Sequence, residues 1–173
     1  LAGPTASGKS ALAYAIAESA GGRIINADAL QVFKNWRILT ARPSIAEEKQ
    51  IPHSLYGHVE GSTSYSVGHW LREIVPILKS QQRSIIVGGT GLYFHALTKG
   101  LANIPKIPPE IIKESEKRMK MRGLQSLIYD LDAKTIKRID VQNPRRVLRA
   151  WQVFSYSGRS ILDWQNNTPS PTL

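Results

Sequence analysis

The sequence contains no cysteine, which excludes disulfides, thiolate metal sites and cysteine nucleophiles and agrees with the cytoplasmic location that we expect. No apolar run approaches the eighteen residues that a membrane-spanning helix needs. Acidic residues are also scarce, with 13 Asp and Glu against 23 Lys and Arg and a net charge of +10. This excess favours a polyanionic partner, nucleic acid before an anionic membrane surface, although a generically basic protein has the same composition.

Two further absences narrow the chemistry. The four histidines lack the i, i+4 spacing of a ligand pair on a helix, so we assign no transition-metal site. No serine stands in the turn of a nucleophile elbow, which leaves acyl transfer unsupported. We interpret Trp36, Trp70 and Trp151 as core or interface residues rather than as platforms for stacked bases.

Glycine, in contrast, is placed where it is informative. Residues 3–10 read GPTASGKS, the glycine, four residues, Gly-Lys-Ser pattern of a phosphate-binding loop. The backbone N–H groups of residues 6–9 are expected to converge on phosphate oxygens at the start of a helix. Lys9 would neutralise the terminal phosphate and the Ser10 hydroxyl would ligate Mg²⁺. The pattern predicts a diphosphate or related group and leaves the rest of the ligand open.

Short apolar strands alternate with helical segments through the first hundred residues. After the end of a strand at Leu1 and Ala2, periodicity predicts helices over 11–20 and 66–80 and strands over 23–26, 55–59 and 85–87. The alternation predicts an α/β fold with a parallel sheet covered by helices on both faces. In the first helix the expected packed stripe is Ala11, Leu12, Ala15 and Ile16, and in the second we expect a kink or a boundary at Pro76.

The composition changes near residue 101. Residues 102–109 contain three prolines and read as a linker, and the basic helical region behind them has no clear strand signal. A further helix is predicted over 144–158, with proline in its first turn and glycine just beyond its end. We divide the chain into a core over 1–101, a helical insertion over 102–140 and a return to the core over 141–173.

Three groups of residues outside the loop are candidates for chemistry. Asp28 follows the strand 23–26 at the sheet edge that faces the loop, where a carboxylate serves as Mg²⁺ ligand or general base, or only as a helix cap. The double-glycine turn VGGTGLYF around Thr90 offers further backbone donors, or is a tight packing turn. Arg145, Arg146 and Arg149 share one helix, where guanidinium groups suit phosphates and base edges, or form a solvated face.

The order of the segments GPTASGKS, NADALQVF, LTARP, VGGTGLYFHAL and DVQNPRRVLRAWQVF resembles that in tRNA dimethylallyltransferases, over nearly the whole chain. The resemblance implies a P-loop NTPase-like α/β fold with a small helical inserted domain that grips the anticodon stem. It implies transfer of a dimethylallyl group from dimethylallyl diphosphate to N6 of adenosine 37 in tRNA, with release of diphosphate. The expected enzyme uses Mg²⁺, is a monomer, has no membrane partner and needs no ATP for turnover.

The same resemblance assigns residues. Asp28 matches the general base that accepts the N6 proton, and Thr90 matches a threonine close to the adenosine and the leaving group. Ser10 matches the magnesium position. The diphosphate site matches Gly3, Pro4, Thr5, Ala6, Ser7, Gly8, Lys9 and Ser10. The tRNA contacts match Asp28, Ala29, Leu30, Gln31, Thr90, Gln142, Asn143, Pro144, Arg145 and Arg146.

The chain departs from the family pattern in places. Ala29, Leu30 and Phe33 stand in a segment that commonly reads DS(A/R)QVY, and Arg42 replaces the usual lysine of TAKP. Family members are longer at the C-terminus, so we expect this chain to be truncated there. Three alternatives stay open: prenylation of free AMP or ADP, a small-molecule kinase with a phosphate loop and a basic lid, and an RNA-binding module without catalysis.

Overall fold

In the computed structural model, which describes residues 1–171, the first hundred residues fold around three short parallel strands. Strand β1 (Arg23–Asn26) lies between β2 (His53–Ser54) and β3 (Ser84–Val87), with Ile24 paired to His53 on one side and to Ile85 on the other. The helices of this unit are α1 (Lys9–Ala20), α2 (Ile45–Gln50), α3 (Val67–Leu78) and α4 (Gly91–Lys99). The predicted α/β class with a parallel sheet is confirmed.

Successive residues of β1 enter different apolar cores, as the pleat of a strand requires. Ile24 packs with Ala13 and Ala17 of α1, whereas Ile25 packs with Trp70 of α3 and with residues of α4. Of the predicted stripe of α1, only Ile16 packs against this core; the prediction is wrong for Ala11, Leu12 and Ala15, which are exposed, while Ala13 and Ala17 are buried. Almost every residue of this helix is apolar or small, so periodicity could not identify the face that approaches the sheet.

The prediction of a strand over 55–59 is also wrong in position. The second strand is only His53–Ser54, because Leu55 adopts a left-handed backbone conformation with φ of 62° that no strand can continue through. The chain returns to extended pairing only at Val59, which forms an isolated parallel bridge with Phe33.

Helix α3 follows its predicted pattern. Trp70 and Ile74 are fully buried, and Ser66 caps the helix by accepting a hydrogen bond from the His69 N–H. The helix passes through Pro76 and ends two residues later, which agrees with a boundary near the proline.

Residues 101–170 form a second unit, which is helical. Its core contains Leu127, Val147, Ala150 and Trp151. Its helices are α5 (Pro109–Arg122), α6 (Gln125–Ile128), α7 (Ala133–Arg138), α8 (Pro144–Ser157) and α9 (Ile161–Asn166). Within residues 1–171, no helix is long and apolar enough to cross a membrane.

Helix α8 begins and ends where the sequence predicts. Asn143 caps its start by accepting hydrogen bonds from the N–H groups of Arg145 and Arg146, and Gly158 ends it in the left-handed conformation, with φ of 64°. In the described residues, α8 and α9 pack against other helices of this unit, although we expected residues 141–173 to return to the core. The predicted three-part domain division stays a prediction.

Candidate active site

A cleft of about 340 Å³ lies at the carboxyl ends of β1 and β3, where parallel sheets usually bind ligands. The phosphate loop and the first turn of α1 form one part of its wall, through residues 5–11. Asp28 and Gln31 follow β1, and residues 87–89 end β3. Thr40 and Ala41 complete the lining. The structure thus brings the predicted diphosphate loop and Asp28 to one cavity.

The loop presents backbone donors to this cleft. Gly8 precedes α1 with φ of 78° and gives the helix no side-chain cap. Leu12 N–H donates to Gly8 O at 3.0 Å, so the N–H groups of the preceding helical residues have no partner within the helix and remain available to an anion. The ammonium of Lys9 folds over its own loop, with hydrogen bonds to Pro4 O and, at 3.4 Å, to Ser7 Oγ.

Asp28 is held by a chain of hydrogen bonds that starts in the core. The indole Nε1 of buried Trp70 donates to Asn26 O at 2.7 Å. The fully buried Asn26 side chain accepts from Asp28 N–H at 2.8 Å and donates to Asp28 O at 2.9 Å. The Asp28 carboxylate uses Oδ1 to accept from Leu30 N–H at 2.9 Å. Its second oxygen, Oδ2, lies on the side of Gly89, another residue of the cleft lining.

Thr90 connects this aspartate loop to α4. Its Oγ1 accepts a hydrogen bond from Ala29 N–H at 2.9 Å, and its own N–H donates to Ala27 O at 3.2 Å. Among the described residues this hydroxyl donates to no acceptor, and Thr90 is not part of the cleft lining. Its catalytic role stays a prediction, whereas its contact with the loop 28–31 is a structural one.

Gly88 is required by the close approach of two backbones. A Cβ atom at Gly88 would lie 2.0 Å from Ala27 O and 2.1 Å from Ala27 C. Gly88 N–H donates to Leu1 O at 3.2 Å, and the residue forms a parallel bridge with Ala2. The first glycine of the double-glycine turn therefore lets three chain segments meet directly beneath the phosphate loop.

We expect Gly88→Ala to lower the free energy of unfolding by about 3 kcal/mol, because the clash is with backbone that cannot rotate away. The matched control is Gly91→Ala, at the first residue of α4, where a Cβ atom would meet nothing within 4 Å. Chemical denaturation of both variants checks the prediction. Equal stability of the two variants would contradict it.

The remaining wall is formed by the loop after Asp28. Gln31 Nε2 donates to Thr40 O at 2.8 Å and to Ala41 O at 3.4 Å, so its amide ties this loop together. Leu30 is 58% exposed, and Ala29 is partly buried against the core. Of the predicted tRNA segment 28–31, only Asp28 and Gln31 line the cleft.

The charge of Asp28 contributes to raised pKa values at two tyrosines. Burial, together with the smaller effects of the charges of Asp28 and Glu73, raises the pKa of Tyr93 to about 12. Burial also raises the pKa of Tyr56, again with Asp28 contributing. Both phenols are therefore neutral at physiological pH, and neither competes with Asp28 as a base.

The other predicted tRNA contacts lie in the helical unit. Gln142, Pro144, Arg145 and Arg146 are exposed, and Asn143 caps α8. A larger cavity of about 810 Å³ within this unit is lined by basic, apolar and amide side chains and by no carboxylate: Lys137, Arg138, Ile139, Asn143, Arg145, Arg146, Arg149, Ile161, Leu162 and Gln165. Its charge suits an anionic ligand, but it offers no general base. We therefore place the candidate chemistry in the smaller cleft.

The side chains of the cleft are compatible with a magnesium ion that takes most of its ligands from a bound phosphate group and from water. Within residues 1–171, no group of three His, Cys, Asp or Glu side chains forms a ready metal site. Ser10 and Asp28 supply one hydroxyl and one carboxylate to the same cleft. Mg²⁺ commonly takes only one or two protein ligands and completes its shell with phosphate oxygens and water. The role of Ser10 as a magnesium ligand stays a prediction.

Sequence reasoning missed several residues that shape the site. Asn26 orients Asp28, and its signal was a single amide at the end of an otherwise apolar strand, RIIN. Thr40 and Ala41 form wall through their backbone and could not be found from side-chain chemistry. Tyr56 was marked by no pattern.

Comparisons with known proteins agree with one another. A family model described as IPP transferase matches residues 31–172. A tRNA dimethylallyltransferase of Cereibacter sphaeroides strain KD131 is 56% identical over the whole chain, which covers 55% of that relative. A tRNA dimethylallyltransferase of Ruegeria sp. strain TM1040 is 54% identical over the whole chain, which covers 59% of it. The chain thus spans little more than half the length of these relatives.

Two solved structures have folds similar to that of this chain. A eukaryotic dimethylallyltransferase acting on tRNA matches with a TM-score of 0.78 over 98% of this chain and 44% of that one. Its identity is 24%, so it informs the fold alone. A full-length tRNA isopentenylpyrophosphate transferase from Bacillus halodurans is 30% identical, with a TM-score of 0.56 over 92% of this chain and 55% of its own.

Proposed function

Since the chain belongs to the IPP transferase family, we propose that it transfers a dimethylallyl group from dimethylallyl diphosphate to N6 of adenosine 37 in tRNA, releasing diphosphate. Relatives at 51–56% identity are tRNA dimethylallyltransferases. The observation that carries the proposal is one cleft that holds both the phosphate loop and the oriented carboxylate of Asp28.

The proposed chemistry uses each of these groups once. The lone pair of the adenosine N6 attacks the allylic carbon, and the bond between that carbon and the diphosphate oxygen breaks. The electrons of that bond leave on diphosphate, where Lys9 and the loop N–H groups stabilise the new charge. The proton released from N6 passes to Asp28, whose Oδ2 is not used by Leu30 N–H.

Magnesium has a defined place in this scheme. Ser10 would hold it together with the diphosphate oxygens, and it would supply positive charge against the leaving group, which leaves Asp28 to act as the base. Thr90 is proposed to lie near the adenosine and the leaving group, while its bond to Ala29 N–H keeps the aspartate loop in place.

The finer architecture is part of the proposal. The bridge between Ala2 and Gly88 supports a P-loop NTPase-like order, in which the strand before the loop pairs beside β3. The helical unit 101–170 is proposed to contain the inserted tRNA-binding domain. A monomeric, cytoplasmic enzyme is expected, and the base would have to leave the anticodon-loop stack to reach the cleft.

The net charge of +10 on this chain is proposed to serve the binding of the negatively charged tRNA backbone. Arg149 is an exposed residue that lines the basic cavity, and partial desolvation of its guanidinium there lowers its pKa. Within the described part of the chain it forms no ion pair, so a phosphate would be its first anionic partner.

We expect Arg149→Gln to weaken tRNA binding and to reduce the slope of log K against log salt by about 1. The matched control is Arg159→Gln in the same unit, because Arg159 already stacks on Trp164 and donates to Asp163 O. Equilibrium binding at several salt concentrations checks this. Equal slopes for wild type and Arg149→Gln would contradict the assignment.

The proposed activity is tested with full-length protein, Mg²⁺, radiolabelled dimethylallyl diphosphate and unmodified tRNA carrying adenosine at position 37, with AMP as competing acceptor. We expect label in the tRNA without any added ATP. Label in AMP alone would identify the nucleotide-prenylating alternative. Phosphorylation of a metabolite at the expense of ATP, with no label transferred, would identify a kinase.

A further inference from the structure

Arg42 lies at the centre of the loop that lines the cleft. Its side chain is only 5% exposed, and Nη1 donates to Phe33 O at 3.0 Å and to Lys34 O at 3.4 Å. Its Nη2 lies 3.7 Å from Oε1 of Glu48 in α2. One guanidinium therefore joins two backbone carbonyls of the loop to a helix beside it.

The carboxylate of Glu48 is shared. Arg37 places Nη1 and Nη2 at 3.1 Å from the two Glu48 oxygens, as a bidentate pair. The pKa of Arg42 is lowered by burial first and by the charge of Arg37 second, while Glu48 opposes both effects. Such a buried cation is costly unless its hydrogen bonds hold a defined geometry.

Gly57 leaves the space in which this guanidinium lies. A Cβ atom at Gly57 would come within 1.8 Å of Arg42 Nη1 and 2.0 Å of its Cζ. The Gly57 N–H donates to Gln31 O at 2.9 Å. The glycine that makes room for Arg42 thus also binds the backbone of a cleft residue.

The contacts connect Arg42 to the cleft on two sides. Residues 40 and 41, which line the cleft, immediately precede it and accept hydrogen bonds from Gln31 Nε2. The carbonyls of Phe33 and Lys34 follow Gln31 by two and three residues. Loss of the guanidinium would therefore loosen both segments of this wall, the one that follows Gln31 and the one that contains Thr40 and Ala41.

We propose that Arg42 is a positioning residue: its buried guanidinium, packed on Gly57, fixes the wall of the diphosphate cleft formed by Gln31, Thr40 and Ala41. The proposal rests on the proposed function only in naming the diphosphate donor as the ligand of that cleft. Arg42 does not line this cleft and acts through the loop.

The test uses full-length protein and three variants: Arg42→Met, Arg42→Lys and Gly57→Ala. The control is Lys34→Met, which removes a cation from the same loop. It is suitable because the Lys34–Glu60 ion pair is exposed and because the substitution leaves the backbone carbonyl of residue 34 in place. Binding of inorganic pyrophosphate with Mg²⁺ is measured by calorimetry, and amide exchange is followed at Gly57 and Val59. Both N–H groups donate to the loop, to Gln31 O and Val32 O.

For Arg42→Met and Gly57→Ala, we expect pyrophosphate binding to weaken about tenfold, the scale on which supporting residues act. The exchange of both amides is expected to accelerate. Arg42→Lys should recover most of the affinity, because an ammonium still donates to the two carbonyls. In turnover, the KM for dimethylallyl diphosphate should rise more than kcat falls, and Lys34→Met should leave pyrophosphate binding unchanged.

Unchanged pyrophosphate affinity in a folded Arg42→Met protein would overturn the proposal. If that variant does not fold, Arg42→Lys and Gly57→Ala decide: wild-type affinity and exchange in Gly57→Ala would overturn it equally. Because pyrophosphate binding needs no prenyl transfer, the proposal can stand even when labelled tRNA is not formed. A cleft that binds no pyrophosphate in wild type overturns it together with the diphosphate assignment.

Discussion

Asp28→Asn is expected to lower the rate of prenyl transfer about 10³-fold, because a carboxamide cannot accept the proton that leaves N6. The substitution keeps the shape of the side chain, and the carbonyl oxygen of the amide can still accept from Leu30 N–H. The loss should therefore appear in the rate constant of transfer measured in single-turnover reactions. The free energy of unfolding should change little.

The control is Asp140→Asn. Asp140 makes the same kind of local bond, with Oδ1 accepting from Gln142 N–H at 3.1 Å, but belongs to the helical unit. We expect its transfer rate to stay within a few-fold of wild type, on the scale of an exposed turn. Full activity of Asp28→Asn with saturating tRNA and donor would remove Asp28 from the role of base.

Lys9→Met is expected to reduce transfer by about 10² to 10³-fold, because the leaving diphosphate loses a cation as its charge develops. Within residues 1–171, the Lys9 ammonium forms hydrogen bonds only to Pro4 O and Ser7 Oγ of its own loop, so its removal breaks no hydrogen bond with the core there. The reduction should appear in kcat/KM for dimethylallyl diphosphate and in the affinity for pyrophosphate.

Lys79→Met supplies the comparison for that variant. Lys79 is an exposed residue just past the end of α3, and its removal changes the net charge by the same amount. Its pyrophosphate affinity should equal that of wild type. If Lys9→Met bound pyrophosphate as tightly as Lys79→Met, the loop would have to bind something other than a diphosphate.

Much of the site could be predicted because the relevant signals are local. The glycine pattern of residues 3–10 gives the loop its geometry through its own backbone, and Asp28 lies two residues past the strand Arg23–Asn26, whose bounds were predicted correctly. Helix α8 carries both of its end signals, Pro144 and Gly158.

What could not be predicted depends on contacts between distant segments. The buried face of α1 is chosen by the sheet, which accepts Ala13 and Ala17 and leaves Leu12 exposed. The second strand stops at Leu55 because of one backbone angle, and no residue preference forces leucine into it. The wall at Thr40 and Ala41 exists only because Gln31 folds back to their carbonyls.

The link from Trp70 through Asn26 to Asp28 has a consequence for how this protein tolerates mutation. If Asp28 is the base, as we propose, stability and catalysis depend on the same two side chains, Trp70 and Asn26, since the indole that fills the core also bonds the strand end that leads to Asp28. A change at Trp70, which does not line the cleft, is thus expected to appear in an activity screen as a defect of the proposed base, Asp28. In this part of the molecule, a substitution that alters core packing is expected to alter the reactivity of Asp28 as well.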